Sequence, residues 1–152
     1  MLTRGDQAPN IDLGNQGDLA SVYGQGPVLL VFFKVSCPTC QFTLPYVNRL
    51  SQQTGNHSPR VIAISQDDAE NTDQFKRRLG LGLQTWMDDP AKWTASNAYK
   101  ITHVPSLFLI QQGGVIQMAS EGFVKDDLET LGRDFGGSPF AEGEVVPAVR
   151  PG

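Results

Sequence analysis

Six consecutive apolar residues, Val28-Leu29-Leu30-Val31-Phe32-Phe33, follow the turn-forming Gly24-Gln25-Gly26-Pro27. A run without polar alternation suits a central strand covered on both faces. From Pro38 to about Gln53 the pattern changes, and Phe42, Tyr46, Val47 and Leu50 recur at helical spacing. Pro45 falls inside that stretch and is expected to kink the helix, since it removes one backbone donor. Arg60–Gln66 reads as a second buried strand. Asp68–Leu79 reads as a helix that exposes Glu70, Asp73, Lys76 and Arg77 and buries Phe75 and Leu79. Two strand-helix units in succession imply parallel strands joined by a right-handed crossover.

Upstream, Gln7 to Val22 holds short apolar pieces broken by Asn10, Gly14, Asn15 and Gly17, which predicts an N-terminal β-hairpin. Downstream of a short apolar piece at Leu83–Met87, Asp89-Pro90 is expected to open a third helix, with Asp89 capping and Pro90 first inside. Trp93, Ala98 and Tyr99 would then face inward. Ser106–Gln111 and Val115–Ser120 flank Gln112-Gly113-Gly114, a hairpin signal, and Lys125–Phe135 places Leu128, Leu131 and Phe135 on one helical face. The pattern is α/β: a central mixed β-sheet flanked by helices, with the N-terminal β-hairpin as an extension. Residues 1–135 are expected to form the domain, and the Gly- and Pro-rich residues 136–152 a flexible tail.

Length and charge narrow the classes. A chain of 152 residues suits one continuous core. A formal net charge of −4 offers no electrostatic case for nucleic acid or an anionic membrane. No apolar stretch approaches the ~20 residues of a membrane span. Met1 to Asp6 lacks the basic segment and apolar core of a secretory signal. The chain as written is expected in the cytoplasm, or in the periplasm or outside the cell if an export signal has been trimmed.

The chemistry concentrates in Cys37-Pro38-Thr39-Cys40, placed where the first strand ends and a helix begins. A helix start offers unpaired N–H groups and the positive end of the helix dipole, which favour a thiolate over a thiol. Cys37, nearer solvent, is therefore the expected nucleophile, and Cys40, one turn further in, the expected resolving thiol. Pro38 suits the first helical position, where its missing N–H has no partner to lose. A structural zinc site would want four ligands, whereas the chain has two Cys and two His, His57 and His103.

The segment Tyr99-Lys100-Ile101-Thr102-His103-Val104-Pro105-Ser106-Leu107-Phe108-Leu109-Ile110, with Gly5-Asp6-Gln7-Ala8-Pro9, Ile64-Ser65-Gln66-Asp67 and Gly113-Gly114-Val115-Ile116, accompanies the Cys motif in a telling order. Together they resemble the thioredoxin superfamily, and within it the branch of TlpA-type thiol-disulfide oxidoreductases and AhpC/TSA-like redoxins. The resemblance covers about Gly5 to Phe135 and implies a thioredoxin-like fold. It implies a cis-proline at Pro105 beside the redox pair, with Val104 presenting backbone groups to an extended substrate. It also implies exchange with protein or small-molecule disulfides, an electron-donating reductase, no prosthetic group and a monomer. Pro45 matches the helix-kinking proline of the family.

Three departures stand out. Ser36 replaces the Trp that many thioredoxins place before the first Cys, and Val31 and Thr43 stand where thioredoxins and TlpA-type proteins carry an acid. The hydroxyl residue that peroxiredoxins place three residues before the peroxidatic Cys is missing: Lys34 and Cys37 hold those positions, removing donors that would polarise a peroxide. A thiol peroxidase and a copper-handling module built on Cys37, Cys40 and His103 are the alternatives. Thr39 and Lys34 are candidates for tuning the thiols, as are Pro38 and His103. His57, in Gly55-Asn56-His57-Ser58-Pro59, reads as a turn residue.

Overall fold

A computed structural model describes residues 1–53 and 58–152; His57 lies outside the described residues. Five strands form the main sheet in the order β3-β2-β1-β4-β5: β1 (Val28–Phe33), β2 (Arg60–Ser65), β3 (Thr85–Met87), β4 (Ser106–Ile110) and β5 (Ile116–Glu121). β1, β2 and β3 run parallel, while β4 is antiparallel to both β1 and β5. The sheet is therefore mixed, as the pattern of βα units followed by a hairpin requires.

The unbroken apolar run of β1 divides between two cores because strand side chains alternate. Leu29, Val31 and Phe33 pack with α2 (Pro38–Gln52), α3 (Ala69–Leu79) and α5 (Lys125–Phe135). Val28, Leu30 and Phe32 pack on the other face with α1 (Leu19–Gln25) and α4 (Thr94–Ala98). Phe32, Tyr99 and Phe108 form a ring cluster there, with centroids 5.2–5.8 Å apart. Pro45 lies inside α2, which continues through it. Among the described residues, no helix is long and apolar enough to cross a membrane.

Register decides where the chemistry gathers. Phe33 at the end of β1 pairs with Ser65 at the end of β2, and Phe32 pairs with Ser106 at the start of β4. The loops carrying Cys37, Asp67 and Val104-Pro105 consequently emerge at one end of the sheet, past the carboxyl ends of β1 and β2. Carboxyl ends of parallel strands at a switch in strand order are where open α/β sheets bind ligands.

Three local expectations are corrected. The N-terminal β-hairpin contracts to one bridge, Asp12 with Asp18, around a 3-10 turn at Gly14–Gln16. The chain then enters α1 because the Asp18 carboxylate accepts from the Ser21 amide at 3.0 Å and hydroxyl at 2.7 Å. The third helix begins at Thr94, with Trp93 as its N-cap residue, and its first amides are held by Asp88 rather than Asp89. The buried Asp88 carboxylate accepts from the Ala95 and Ser96 amides and from Ser96 Oγ, at 2.7–2.9 Å, and so fixes the start of α4. Asp89 instead accepts from the Ala91 amide, within a tight turn that includes Pro90. Trp93, expected inside, adopts φ 47° and is 38% exposed.

Residues 136–152 leave α5 through Gly136, whose φ of 97° permits the left-handed exit. They return along α2. Phe140 packs on Tyr46 and Phe123, and Arg49 makes a two-toothed ion pair with Glu144 at 2.7 and 3.3 Å. The Lys125 amide donates to Ala148 O at 2.9 Å, and β7 (Val149–Arg150) pairs antiparallel with β6 (Phe123–Val124). Low apolar periodicity predicted a loose tail for this segment. Its described contacts are side-chain anchors and backbone pairs that no local pattern encodes.

Candidate functional site

Cys37 is the N-cap residue of α2, and Pro38 is the first residue inside it, exposed to solvent. That geometry turns the Cys40 amide, an N–H with no helical acceptor, onto Cys37 Sγ at 3.0 Å. Cys37 is half-buried, while Cys40 is fully enclosed beside Phe33 and Leu44 in the α2 core. The two thiols are thus adjacent but unequal.

Val104-Pro105 is a cis peptide, and it sets the Val104 carbonyl 3.4 Å from Cys37 Sγ, from which the thiol donates. This contact joins residues 67 positions apart. Ser106 Oγ donates to His103 O at 2.6 Å and the Gly122 amide to Pro105 O at 2.8 Å, holding the turn from both sides.

The remaining sequence candidates are placed as follows. Thr39 is buried, and its hydroxyl donates to Pro151 O at 2.7 Å rather than to Cys37. Lys34 Nζ sits 5.4 Å from the centre of the Trp93 ring. His103 Nδ1 is 2.7 Å from Glu121 Oε1 on the neighbouring strand, with its side chain 61% exposed. Thr43, at the acid position of TlpA-type proteins, is buried with its hydroxyl on Thr39 O at 2.7 Å. Among the described residues, no three His, Cys, Asp or Glu side chains group as metal ligands, Cys37, Cys40 and His103 included.

Two residues near the site escaped the sequence reading. Asp67, just past β2, accepts from the Val35 amide at 2.8 Å, and so ties the β2 loop to the loop that carries Cys37. Its position after a buried strand was the available signal. Trp93 was assigned to the core, yet it stands over Lys34 at the mouth of a cavity of about 380 Å³ lined also by Cys37, Ile101, His103 and Val104. A cavity of about 470 Å³ lined by Val22, Pro27 and Arg60 lies at the other end of β1, away from both thiols. The smaller one is relevant here because it alone of these two reaches sulfur.

Burial pushes the Cys40 thiol up from the ordinary range; the neighbouring Cys37 and the Asp67 charge push the same way, and a backbone hydrogen bond from Lys34 opposes them. Folding therefore holds a proton that the unfolded chain releases above about pH 8.5. The associated stability is fully present below that pH and declines as the pH rises toward the folded-state value. For the reduced protein, chemical denaturation is expected to show stability falling above pH ~8.5, by at most about 1.4 kcal/mol per pH unit from this group. Cys40→Ala should flatten that decline. Tyr99, whose phenol burial also pushes up, contributes only above pH ~10, so the two are separable.

The AhpC/TSA family model matches residues 4–119. Among curated proteins, the thiol-disulfide oxidoreductase ResA of Geobacillus kaustophilus is 27% identical over 131 residues, spanning 82% of this chain and 74% of its own. ResA of Bacillus anthracis is 30% identical over 134 residues, with the same coverage of 82% and 74%. A crystal structure described as a thiol:disulfide interchange protein DsbE from Chlorobium tepidum superposes with a TM-score of 0.74 at 25% identity, over 88% of this chain and 96% of that one. Peroxidoxin BcpB from Mycobacterium tuberculosis superposes with a TM-score of 0.72 over 90% of this chain and 97% of its own, but at 16% identity, a likeness of fold alone. With a family model spanning most of the domain, and a Cys pair opening α2 against a cis-proline turn, this chain belongs to the AhpC/TSA family, on the thioredoxin-like fold.

Proposed function

We propose that Cys37 and Cys40 are the exchanging pair of this thiol-disulfide oxidoreductase, with Cys37 attacking and Cys40 resolving. The observation that carries the assignment is the inequality of the thiols: Cys37 lines an open cavity, whereas Cys40 is fully buried with its amide on Cys37 Sγ. The Cys37 thiolate attacks one sulfur of a substrate disulfide, forming a mixed disulfide and releasing the other sulfur as a thiolate that takes up a proton. The Cys40 thiolate then attacks Cys37 Sγ, closing the Cys37–Cys40 disulfide and releasing the second substrate thiol. Two electrons pass from the dithiol to the substrate. A partner dithiol returns them, and no prosthetic group is needed. Val104-Pro105, with the Val104 carbonyl 3.4 Å from Cys37 Sγ, positions the substrate sulfur at the attacking thiol.

Alkylating the reduced protein with limiting reagent near pH 6 is expected to label Cys37 before Cys40; adduct mapping reads the order, and preferential labelling of Cys40 would reverse the roles. Peroxide consumption should be weak beside disulfide reduction. A peroxidase needs a hydroxyl donor at the reactive sulfur, and the one hydroxyl within the motif, on Thr39, is held by Pro151 O. Peroxide turnover rivalling disulfide exchange would favour the peroxidase reading. In this reading the protein works as a monomer, in the cytoplasm or in an exported compartment. Size-exclusion chromatography and cell fractionation test these two points.

A further inference from the structure

Pro151 and Gly152 lie across the turn that would receive a substrate backbone. Thr39 Oγ1 donates to Pro151 O at 2.7 Å, and Gly152 rests on the Val104 carbonyl so closely that a Cβ there would overlap the Val104 oxygen and approach His103 Cβ to 3.3 Å. The approach is built rather than incidental. β7 pairs with β6, the Arg150 guanidinium sits 4.5 Å from the centre of the Phe42 ring, and Gly122, at φ 72°, leaves room where a Cβ would strike Arg150 O at 2.7 Å. An extended polypeptide seeking Val104 therefore meets a segment of this chain already in its place.

What stays open beside Cys37 is the cavity of about 380 Å³, near the small end of the roughly 300–1,000 Å³ typical of ligand sites. Its walls combine the apolar surfaces of Trp93 and Ile101 with the Lys34 ammonium. Lys34 forms no ion pair with a carboxylate among the described residues, and its recorded neighbour is the face of Trp93. A cation over an aromatic ring, unmatched by an acid among the described residues and lining the same cavity as the attacking sulfur, complements a carboxylate on the incoming disulfide.

We propose that this site takes a small disulfide bearing carboxylate groups in preference to an extended polypeptide, with residues 148–152 excluding the polypeptide and Lys34 and Trp93 selecting the small molecule. The proposal rests on the exchange reading above. The disulfide accepts two electrons from Cys37 and Cys40, leaves as two thiols, and takes its two protons from the thiols and water.

The test is single-turnover oxidation of the pre-reduced full chain by three probes: oxidised glutathione, neutral 2-hydroxyethyl disulfide, and an unstructured peptide with one internal disulfide. Oxidised glutathione should react fastest. Lys34→Gln should lower the ratio of the glutathione rate to the 2-hydroxyethyl rate about tenfold, the scale of one charge-assisted hydrogen bond. Gly152→Val, whose side chain cannot lie against Val104, should raise the ratio of the peptide rate to the glutathione rate by about the same factor. Arg150→Ala, which gives up the Phe42 contact, should move that ratio the same way and guards against a misfolded Gly152 variant. A peptide rate equal to or above the glutathione rate in the unmodified chain would overturn this proposal and leave the exchange reading standing, as would ratios that none of the three substitutions moves. Failure of all three probes to oxidise the Cys pair would sink the exchange reading, and the proposal with it.

Discussion

Cys37→Ser is expected to abolish disulfide exchange, and Cys40→Ser to halt it one step later with the substrate still covalently attached. The difference follows from geometry. Cys37 Sγ alone of the two sulfurs borders the cavity, so its loss removes the only sulfur a substrate reaches, and turnover should fall by several orders of magnitude. Cys40, buried and outside that cavity, is on the exchange reading the thiol that makes the second attack. Intact-protein mass spectrometry after mixing Cys40→Ser with oxidised glutathione should show a stable one-to-one adduct, mapped by peptide analysis to Cys37. Free release of both halves of the disulfide by Cys40→Ser would mean that a second external thiol, and not Cys40, resolves the intermediate.

Resolution itself is expected to quicken about tenfold per pH unit across neutral pH, because the thiolate is the nucleophile and burial and the Asp67 charge oppose its formation at Cys40. The sign is set by those causes. A raised thiol pKa leaves only a small thiolate fraction near pH 7, and each unit of pH multiplies that fraction by ten until the folded-state value is reached. Thr43 offers no carboxylate to take the proton, and its hydroxyl donates to Thr39 O. Stopped-flow release of the second thiol from a pre-formed Cys37 mixed disulfide, followed from pH 6 to 9, measures the slope. Asp67→Asn removes that opposing charge and should shift the profile to lower pH, giving faster resolution at any given pH. Slower resolution in Asp67→Asn would instead identify Asp67 as the acceptor of the Cys40 proton, and a flat profile in the parent would assign that task to another group.

Most of the layered core was legible from pattern because it depends on neighbours in sequence. The apolar run of β1, the helical spacing of Phe42, Tyr46, Val47 and Leu50, and the stripe Leu128, Leu131 and Phe135 each repeat with the period of the element they form. The α1 helix carried the same signal, Leu19, Val22 and Tyr23, but the glycines and asparagines before it were read as hairpin punctuation. The start of α4 was misplaced by several residues for a different reason. Asp88 and Asp89 are equivalent as letters, and only burial and the placement of the Ala95 and Ser96 amides make Asp88 the acceptor that holds the start of α4.

The amino-acid sequence by itself determined the alternation of strands and helices, the Cys37–Cys40 spacing at a helix start, and through its family resemblance the pairing of that motif with Val104-Pro105. All of these are encoded by short-range order or by recognisable words. Tertiary structure alone decided that Cys40 would be sealed in the core while Cys37 faced a cavity, that Trp93 would turn outward over Lys34, and that residues 148–152 would cross back onto the site. Those outcomes rest on contacts between positions far apart in the chain, such as Thr39 with Pro151 and Cys37 with Val104. Such contacts form only when the sheet register carries distant loops to the same end of the sheet, and no local periodicity records them.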